Sequence, residues 1–331
     1  MFKKSLIFFY AIATLSIASG PAKAEFPERT IEMIFPWSAG TAMAVTQVIT
    51  TALGEELSVS VPVISTPGAA GTKAFQTAMG RDADGYTLID GYVAPLVLQP
   101  ILGNASWTYK DFKPLHSGVS NAFSIGGRPS EKRWSNFKEM MAWGNAHPGK
   151  LRYSSGSRNN LPHMVIAKTL QSFGVVAQNI PYKTDADAVN DMKGGILDFV
   201  FMDAGSYRQD KPAVKILLVL SELPKAKAIY DGAPSINELD IDLGLSGLAP
   251  MGWDWFVVRK DTPDNVVDRL NKAMNKVMQR SDVRKKIENI GYIPLEWTSA
   301  DYEKIIAPVV VQLTEMGNAL KWEETEMAKL K

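Results

Sequence analysis

"FPWSAGTAMAVTQVIT", residues 35–50, is the stretch on which the fold turns. The segment before it, "TIEMIF" (residues 30–35), is β-branched and apolar and reads as a strand. A Pro-Trp-Ser-Ala-Gly turn then opens straight into a helix. Val45, Val48, Ile49 and Ala52 share one face of that helix, and Gly54 stands where it should end. Strand, tight turn and helix form the repeating unit of α/β sheets. Such a junction leaves the first N–H groups of the helix unpaired beside small side chains, which is how a backbone holds an anion.

The same unit recurs outward from there. "SVSVPVIS" (58–65) reads as a strand, "TPGAAGT" (66–72) as a glycine turn, and "KAFQTAMG" (73–80) as a short helix closed by Gly80. "GYTLIDG" (85–91) is the next strand. The alternation predicts a parallel sheet with helices on both faces. It resumes after about residue 125, with a helix in "SNFKEMMAWGNAHPGK" (135–150), a strand in "LRYS" (151–154) and a polar loop in "SGSRNN" (155–160). A helix then opens with Pro162 and ends at Gly174, followed by a strand in "NIPYK" (179–183) and a helix in "DADAVNDMKGG" (185–195). "ILDFVFMD" (196–203) and "VKILLVLS" (214–221) are continuous apolar runs, the mark of strands buried on both faces. "MGWDWFVVRK" (251–260) is a further strand, and 262–292 is rich in helix.

The expected architecture is therefore two α/β lobes joined by two crossovers, near 120–126 and 243–250, with a cleft between them. The division is 25–124 for the first part of lobe one, 125–246 for lobe two, and 247–331 completing lobe one. Residues 1–24 stand apart from the fold. Lys3 and Lys4 precede the apolar "SLIFFYAIATLSIAS", and "AKA" (22–24) offers a cleavage site, the pattern of a secretory signal. An uncleaved N-terminal anchor is the alternative. Processing would change the formal charge from +1 to −2. A near-neutral chain without a basic block carries no footprint for nucleic acid. Cysteine is absent, which excludes disulfides and thiol chemistry. The three histidines, His116, His147 and His163, lack metal-ligand spacing, so neither metal nor cofactor is expected.

In open α/β sheets ligands lie beyond the carboxyl ends of strands. "PWSAGTA", "PGAAG", "SSGSRNN" and "DAGS" occupy such positions, and the first and third run into helix N-termini. One such site per lobe, facing across a cleft, would clamp an anion without a cationic side chain. These loops are equally the ordinary turns of any α/β fold. Enzyme signatures are missing. Ser38, Ser155 and Ser246 lack the glycine frame of a nucleophile elbow, and no Walker loop or dinucleotide glycine triplet occurs. His163 is either a base or a packed ring, Asp203 a ligand acceptor or a turn-former, and Arg158 a solvated side chain or a partner for a second acid. Trp37, Trp253 and Trp255 are core aromatics or pocket walls.

In order along the chain, "PWSAG", "PGAAG", "DADGYTLIDG", "HPGKLRYSS", "PHM", "IPYK", "GGILDFVFMD" and "TPDNVVDRLNKAM" resemble the periplasmic solute-binding proteins of tripartite tricarboxylate transporters, the Bug or TctC family. The resemblance covers nearly all of the chain after residue 24. It implies a type II periplasmic binding protein fold that closes on a carboxylate in the periplasm. It implies capture without catalysis, membrane subunits of a transporter as partners, and a monomer. Carried over, the grip consists of Trp37, Ser38, Ala39, Gly40 and Thr41 on one side. On the other stand Ser155, Ser157, Asn159, Asn160 and His163. Ala69 and Ala70 line the cleft from the second turn, and Asp203 meets the variable end of the ligand.

The chain departs from the family pattern at Thr41, where a glycine is usual, at Ala44, where an aspartate is usual, and at Ser157, Arg158 and Asn159 in a loop that is usually glycine-rich. A lost acid and a gained Arg158 imply an aromatic mono- or dicarboxylate. A small aliphatic dicarboxylate is the alternative ligand, and presentation of ligand to a sensor kinase the alternative role. An exported enzyme on the same fold is the remaining rival.

Overall fold

The structure, a computed structural model, describes residues 26–221, 223–239 and 252–330. The signal segment and the crossover near 243–250 lie outside the described residues. In the first lobe β1 (Glu32–Phe35) leads into α1 (Thr41–Leu57), β2 (Val63–Ser65) into α2 (Thr72–Met79), and β3 (Thr87–Tyr92) towards the short α3 (Gln99–Ile101). β4 (Phe112–Ser120) carries the chain out, and residues 121–123 pass it to the second sheet. There follow β5 (Ser124–Gly127), α4 (Phe137–Ala146), β6 (Leu151–Ser154), α5 (Leu161–Ser172), β7 (Ala177–Asn179) and α6 (Asp185–Lys193). Next come β8 (Phe199–Met202), α7 (Ala204–Asp210), β9 (Lys215–Val219) and α8 (Pro224–Ile229). The chain returns as β10 (Trp253–Arg259), α9 (Asp264–Gln279), α10 (Ser281–Ile290), β11 (Ile293–Pro294) and α11 (Tyr302–Ala328).

Two sheets result, ordered β11-β4-β10-β3-β1-β2 and β7-β6-β8-β5-β9. The βα repeats are parallel, as their connections require: β1 pairs with β2 and β3, and β6 with β7 and β8. The expectation of wholly parallel sheets is corrected. β10 runs antiparallel to β3 and β4, and β5 antiparallel to β8 and β9. These strands carry the chain between lobes, so no crossover helix within their own sheet sets their direction. β8 is buried along its length, as its apolar run predicts, while β9 lies at a sheet edge with only Lys215 exposed.

Gly54 does not end α1, which continues to Leu57 and closes on Ser58 in the left-handed region. The glycine is needed for space: a Cβ there would lie 2.7 Å from the Val59 carbonyl oxygen. On the α1 face read from sequence, Val45, Ile49 and Ala52 are buried and Val48 partly so.

The tail differs from its expected place. β10, α9, α10 and β11 join the first lobe, but α11 packs along α5 and β7 of the second. It is about 40 Å long at 1.5 Å per residue. Tyr302, near its start, is fixed in the first lobe, its hydroxyl donating to the Tyr109 carbonyl at 3.1 Å and its ring lying edge-on to Trp255. Ile306, Val309, Leu313, Met316, Ala319 and Leu320 then belong to one apolar core that contains both Phe75 of the first lobe and Phe199 of the second.

Asp90 on β3 and Asp254 on β10 form a buried carboxyl pair beside the crossover. Thr46 donates to Asp90 at 2.7 Å and the Val119 N–H to Asp254 at 2.6 Å. Gly118 makes room, since a Cβ there would lie 2.4 Å from the Asp254 carboxylate. Burial raises both carboxyls above their ordinary range, and the proximity of Asp254 raises Asp90 further. A carboxyl whose folded pKa is raised favours folding most below its unfolded pKa, and that contribution is lost as pH rises through the folded value. Asp254→Asn keeps an acceptor for Val119 and removes a buried charge. The melting point of this variant, measured against wild type from about pH 4 to pH 8, is expected to gain on wild type progressively as pH rises.

Candidate functional site

The carboxyl ends of the strands from both lobes face a cavity of about 940 Å³. Volumes of this order suit a small organic guest. Of the residues expected from sequence, Trp37, Ser38, Ala39, Gly40, Thr41, Ser155, Ser157, Asn160 and Asp203 line it. Ala69, Ala70, Arg158, Asn159 and His163 do not.

Among the described residues four helices begin on the cavity wall: α1, α5, α6 and α7. Three of them are capped by their own side chains. The Asn160 side chain accepts the His163 N–H at 2.8 Å, Thr184 that of Asp187 at 3.2 Å, and Asp203 that of Ser206 at 2.6 Å. α1 is different. Its cap is Gly40, no side chain among the described residues caps its first N–H groups, and its first turn holds no acid. Those donors carry about half a positive charge between them and face the cleft. The expected clamp of two open helix N-termini is thereby corrected. One open N-terminus belongs to the first lobe, and the second lobe offers Ser155, Ser157 and a helix already capped by Asn160.

The residues off the wall have clear local reasons. Residues 68–71 form a run of positive φ angles, with Ala69 at 47° and Ala70 at 50°. Such alanines cost about 1 kcal/mol or more each. The turn buries Ala70 and leaves Pro67 and Gly68 on the cavity wall. Arg158 donates to the Asn179 carbonyl at 3.1 Å at the end of β7 and does not line the cavity. His163 is buried under the loop, its Nδ1 accepting the Asn159 N–H at 2.9 Å.

Trp253, read from the sequence as a core aromatic or a pocket wall, is buried and stands on the wall, and further residues there were missed. Tyr92, Asn121, Phe123, Phe201 and Trp253 give it an aromatic, partly polar floor. Lys183, Thr184, Asp185 and Arg208 stand on the second-lobe side. The strand-end rule reaches Tyr92 and the 183–185 loop; Asn121 and Phe123 sit on a crossover that no periodicity marks. Asp185 is half-exposed to the open cavity, yet protein crowds it enough that desolvation, assisted by the nearby Asp203 charge, pushes its carboxyl up from 3.8 to about 7. Burial also raises Asp203, while hydrogen bonds from Ser206 and Thr41 pull it back. No group of three His, Asp or Glu side chains able to hold a metal occurs among the described residues.

The lobes touch around this cavity. Thr41 Oγ1 donates across it to Asp203 at 3.2 Å. On one side Gln99 Nε2 donates to the Asn159 carbonyl. On the other Arg208 Nη1 donates to the Glu288 carbonyl at 3.0 Å and also to that of Asn289. Gly205 allows the approach, because a Cβ there would lie 2.6 Å from Thr41 Cβ. Gly205→Ala is expected to wedge the lobes apart. Small-angle scattering would show a larger radius of gyration than wild type, with the circular dichroism spectrum unchanged.

Residues 45–320 match the sequence profile of the "Tripartite tricarboxylate transporter family receptor". A Cupriavidus necator protein named for its place in the gbd 5′ region is 26% identical over 306 residues, covering 91% of each chain. The solved periplasmic binding protein BugD superposes with a TM-score of 0.74 at 22% identity, over 89% of this chain and 99% of BugD. An R. palustris protein solved with adipate gives 0.76 at 18% identity, over 90% of this chain and 99% of that one. At these identities the two structures speak to the fold alone. That fold is the two-lobed α/β arrangement of the periplasmic binding proteins. With the profile spanning most of its length, the chain belongs to the tripartite tricarboxylate transporter receptor family, TctC.

Proposed function

We propose that this chain is a periplasmic receptor that captures a small carboxylate between its lobes and delivers it to the membrane subunits of a transporter. The supporting observation is the open N-terminus of α1 facing an aromatic-walled cavity. Two charge-assisted hydrogen bonds from such amides contribute about 3–6 kcal/mol together. Burial of an apolar body adds about 25 cal/mol per Å². The lost freedom of association offsets part of that sum. Residues 1–24 supply the export signal, and the protein acts as a monomer that releases its guest unchanged. The receptor character of the family supports binding rather than turnover.

Trp37, Tyr92, Phe123, Phe201 and Trp253 on the wall favour an aromatic body. Arg158 is engaged elsewhere, Arg208 donates to the Glu288 and Asn289 carbonyls, and Asp185 and Asp203 stand beside Lys183 on the second-lobe side. We therefore favour an aromatic monocarboxylate over a dicarboxylate. The adipate bound by the R. palustris protein keeps an aliphatic dicarboxylate as the second reading.

Titration calorimetry with benzoate, terephthalate, adipate and glutamate tests this ranking. Benzoate should bind tightest, with the recovered guest unchanged by NMR. Binding of glutamate alone would sink the proposal. Terephthalate should weaken about tenfold as pH rises from about 6 to about 8, because Asp185 gains charge in that window. Asp185→Asn should abolish this slope and leave benzoate nearly unaffected.

A further inference from the structure

We propose that Glu323, on the C-terminal helix, is a positioning residue that sets the 155–160 ligand loop through His163. The inference rests on the reading of the cleft as the ligand site. Its geometry does not depend on which guest enters.

The Asn159 N–H donates to His163 Nδ1 at 2.9 Å. A nitrogen that accepts a hydrogen bond carries no proton, so the imidazole proton sits on Nε2. Nε2 then donates to Glu323 Oε2 at 2.8 Å, and the Tyr153 hydroxyl donates to Oε1 at 2.6 Å. All three side chains are buried: Tyr153 is 0% exposed, His163 3% and Glu323 5%. The carboxylate therefore selects both the tautomer and the tilt of the ring that holds Asn159.

Asn159 needs holding. Its φ of 58° lies in the left-handed region, which a non-glycine residue occupies at a cost. Its two peptide groups are gripped from opposite directions. The N–H goes to His163, and the carbonyl accepts Gln99 Nε2 from the first lobe. The next residue, Asn160, caps α5 and lines the cavity. A shift at Asn159 is thus passed directly to a residue on the wall.

Packing alone does not call for a carboxylate at 323. Met316, Ala319 and Leu320 on the same helix are buried and apolar. An apolar side chain would seal α11 against α5 without desolvating a charge. Carboxylates that orient an imidazole from behind are a recurring way to fix a site's geometry. Here the carboxylate rides on a helix whose other end is fixed in the first lobe through Tyr302 and Tyr109. The loop therefore takes its orientation from the relative position of the lobes.

Glu323→Leu keeps an apolar fill and removes the acceptor. Glu323→Gln keeps an acceptor for Nε2, and Glu324→Gln alters a neighbouring exposed position as a control. Three readouts apply: the ¹⁵N-detected tautomer of His163, amide exchange at residues 156–160, and calorimetric affinity for benzoate, terephthalate and adipate. With only three histidines in the chain, the imidazole signals can be assigned. The leucine variant should show mixed tautomers, exchange at Asn159 about tenfold faster and affinity about tenfold weaker. The glutamine variant should largely restore all three, and the control should match wild type.

Wild-type exchange and tautomer in the leucine variant would overturn the proposal. So would faster exchange with unchanged affinity. Should the leucine variant fail to fold, the glutamine variant decides, since loss of the single tautomer there also contradicts the assigned role. If wild type binds none of the three acids, the carboxylate reading fails, and the NMR arms still decide whether Glu323 sets the loop.

Discussion

The N–H groups at the start of α1 need acceptors, and no side chain among the described residues caps them. Every local choice keeps that vacancy. Gly40 has no side chain to cap with, the first turn has no acid, and Ala39 and Ala42 are too short to intrude. The three facing helices are closed by Asn160, Thr184 and Asp203. The cleft is thus asymmetric in its electrostatics. One wall offers unfilled donors, while the opposite wall carries two carboxyls that resist ionisation because protein has replaced their water. An anion entering this space meets those donors on one wall, while Lys183 and Arg208 stand beside the carboxyls on the other.

The rest of the molecule holds that asymmetry in position. Parallel βα units deliver α1, α5 and α6 to one edge of each sheet, while antiparallel strands tie the lobes at the crossover. Thr41 reaches Asp203 on the other lobe. A hydroxyl that looks like local loop chemistry is therefore also a bond between lobes. Asp203 serves as helix cap, inter-lobe acceptor and cavity wall at once, so neither of the roles read from the sequence alone is sufficient.

Much of this was legible beforehand. The βα repeats and the first-strand loop follow from the alternation of strand and helix signals, and the buried run at 199–202 from an unbroken apolar stretch, since a strand covered on both faces shows no period. β4 and α11 left weaker traces. β4 mixes Lys113, Pro114, His116 and Ser117 with apolar residues, so no alternation marks it. α11 packs against two lobes at once, which spreads its apolar positions around the helix instead of gathering them into one stripe. The site residues that moved off the wall did so for backbone reasons. The positive φ values at Ala69, Ala70 and Asn159 depend on contacts distant in sequence, and no propensity announces them. Arg158 and His163 found partners, Asn179 and Glu323, that only the assembled fold brings near.

The single core threaded by α11 has a bearing on how such receptors diverge. Guest preference could in principle be traded by recombining halves of related genes, since each half contributes one wall. In this architecture the last helix is encoded with the first half's strands but seals the second half's loop. A crossover that leaves the tail behind would join two walls from one parent to a support from the other. New preferences are then reached more readily by single changes on the walls than by exchange of whole halves.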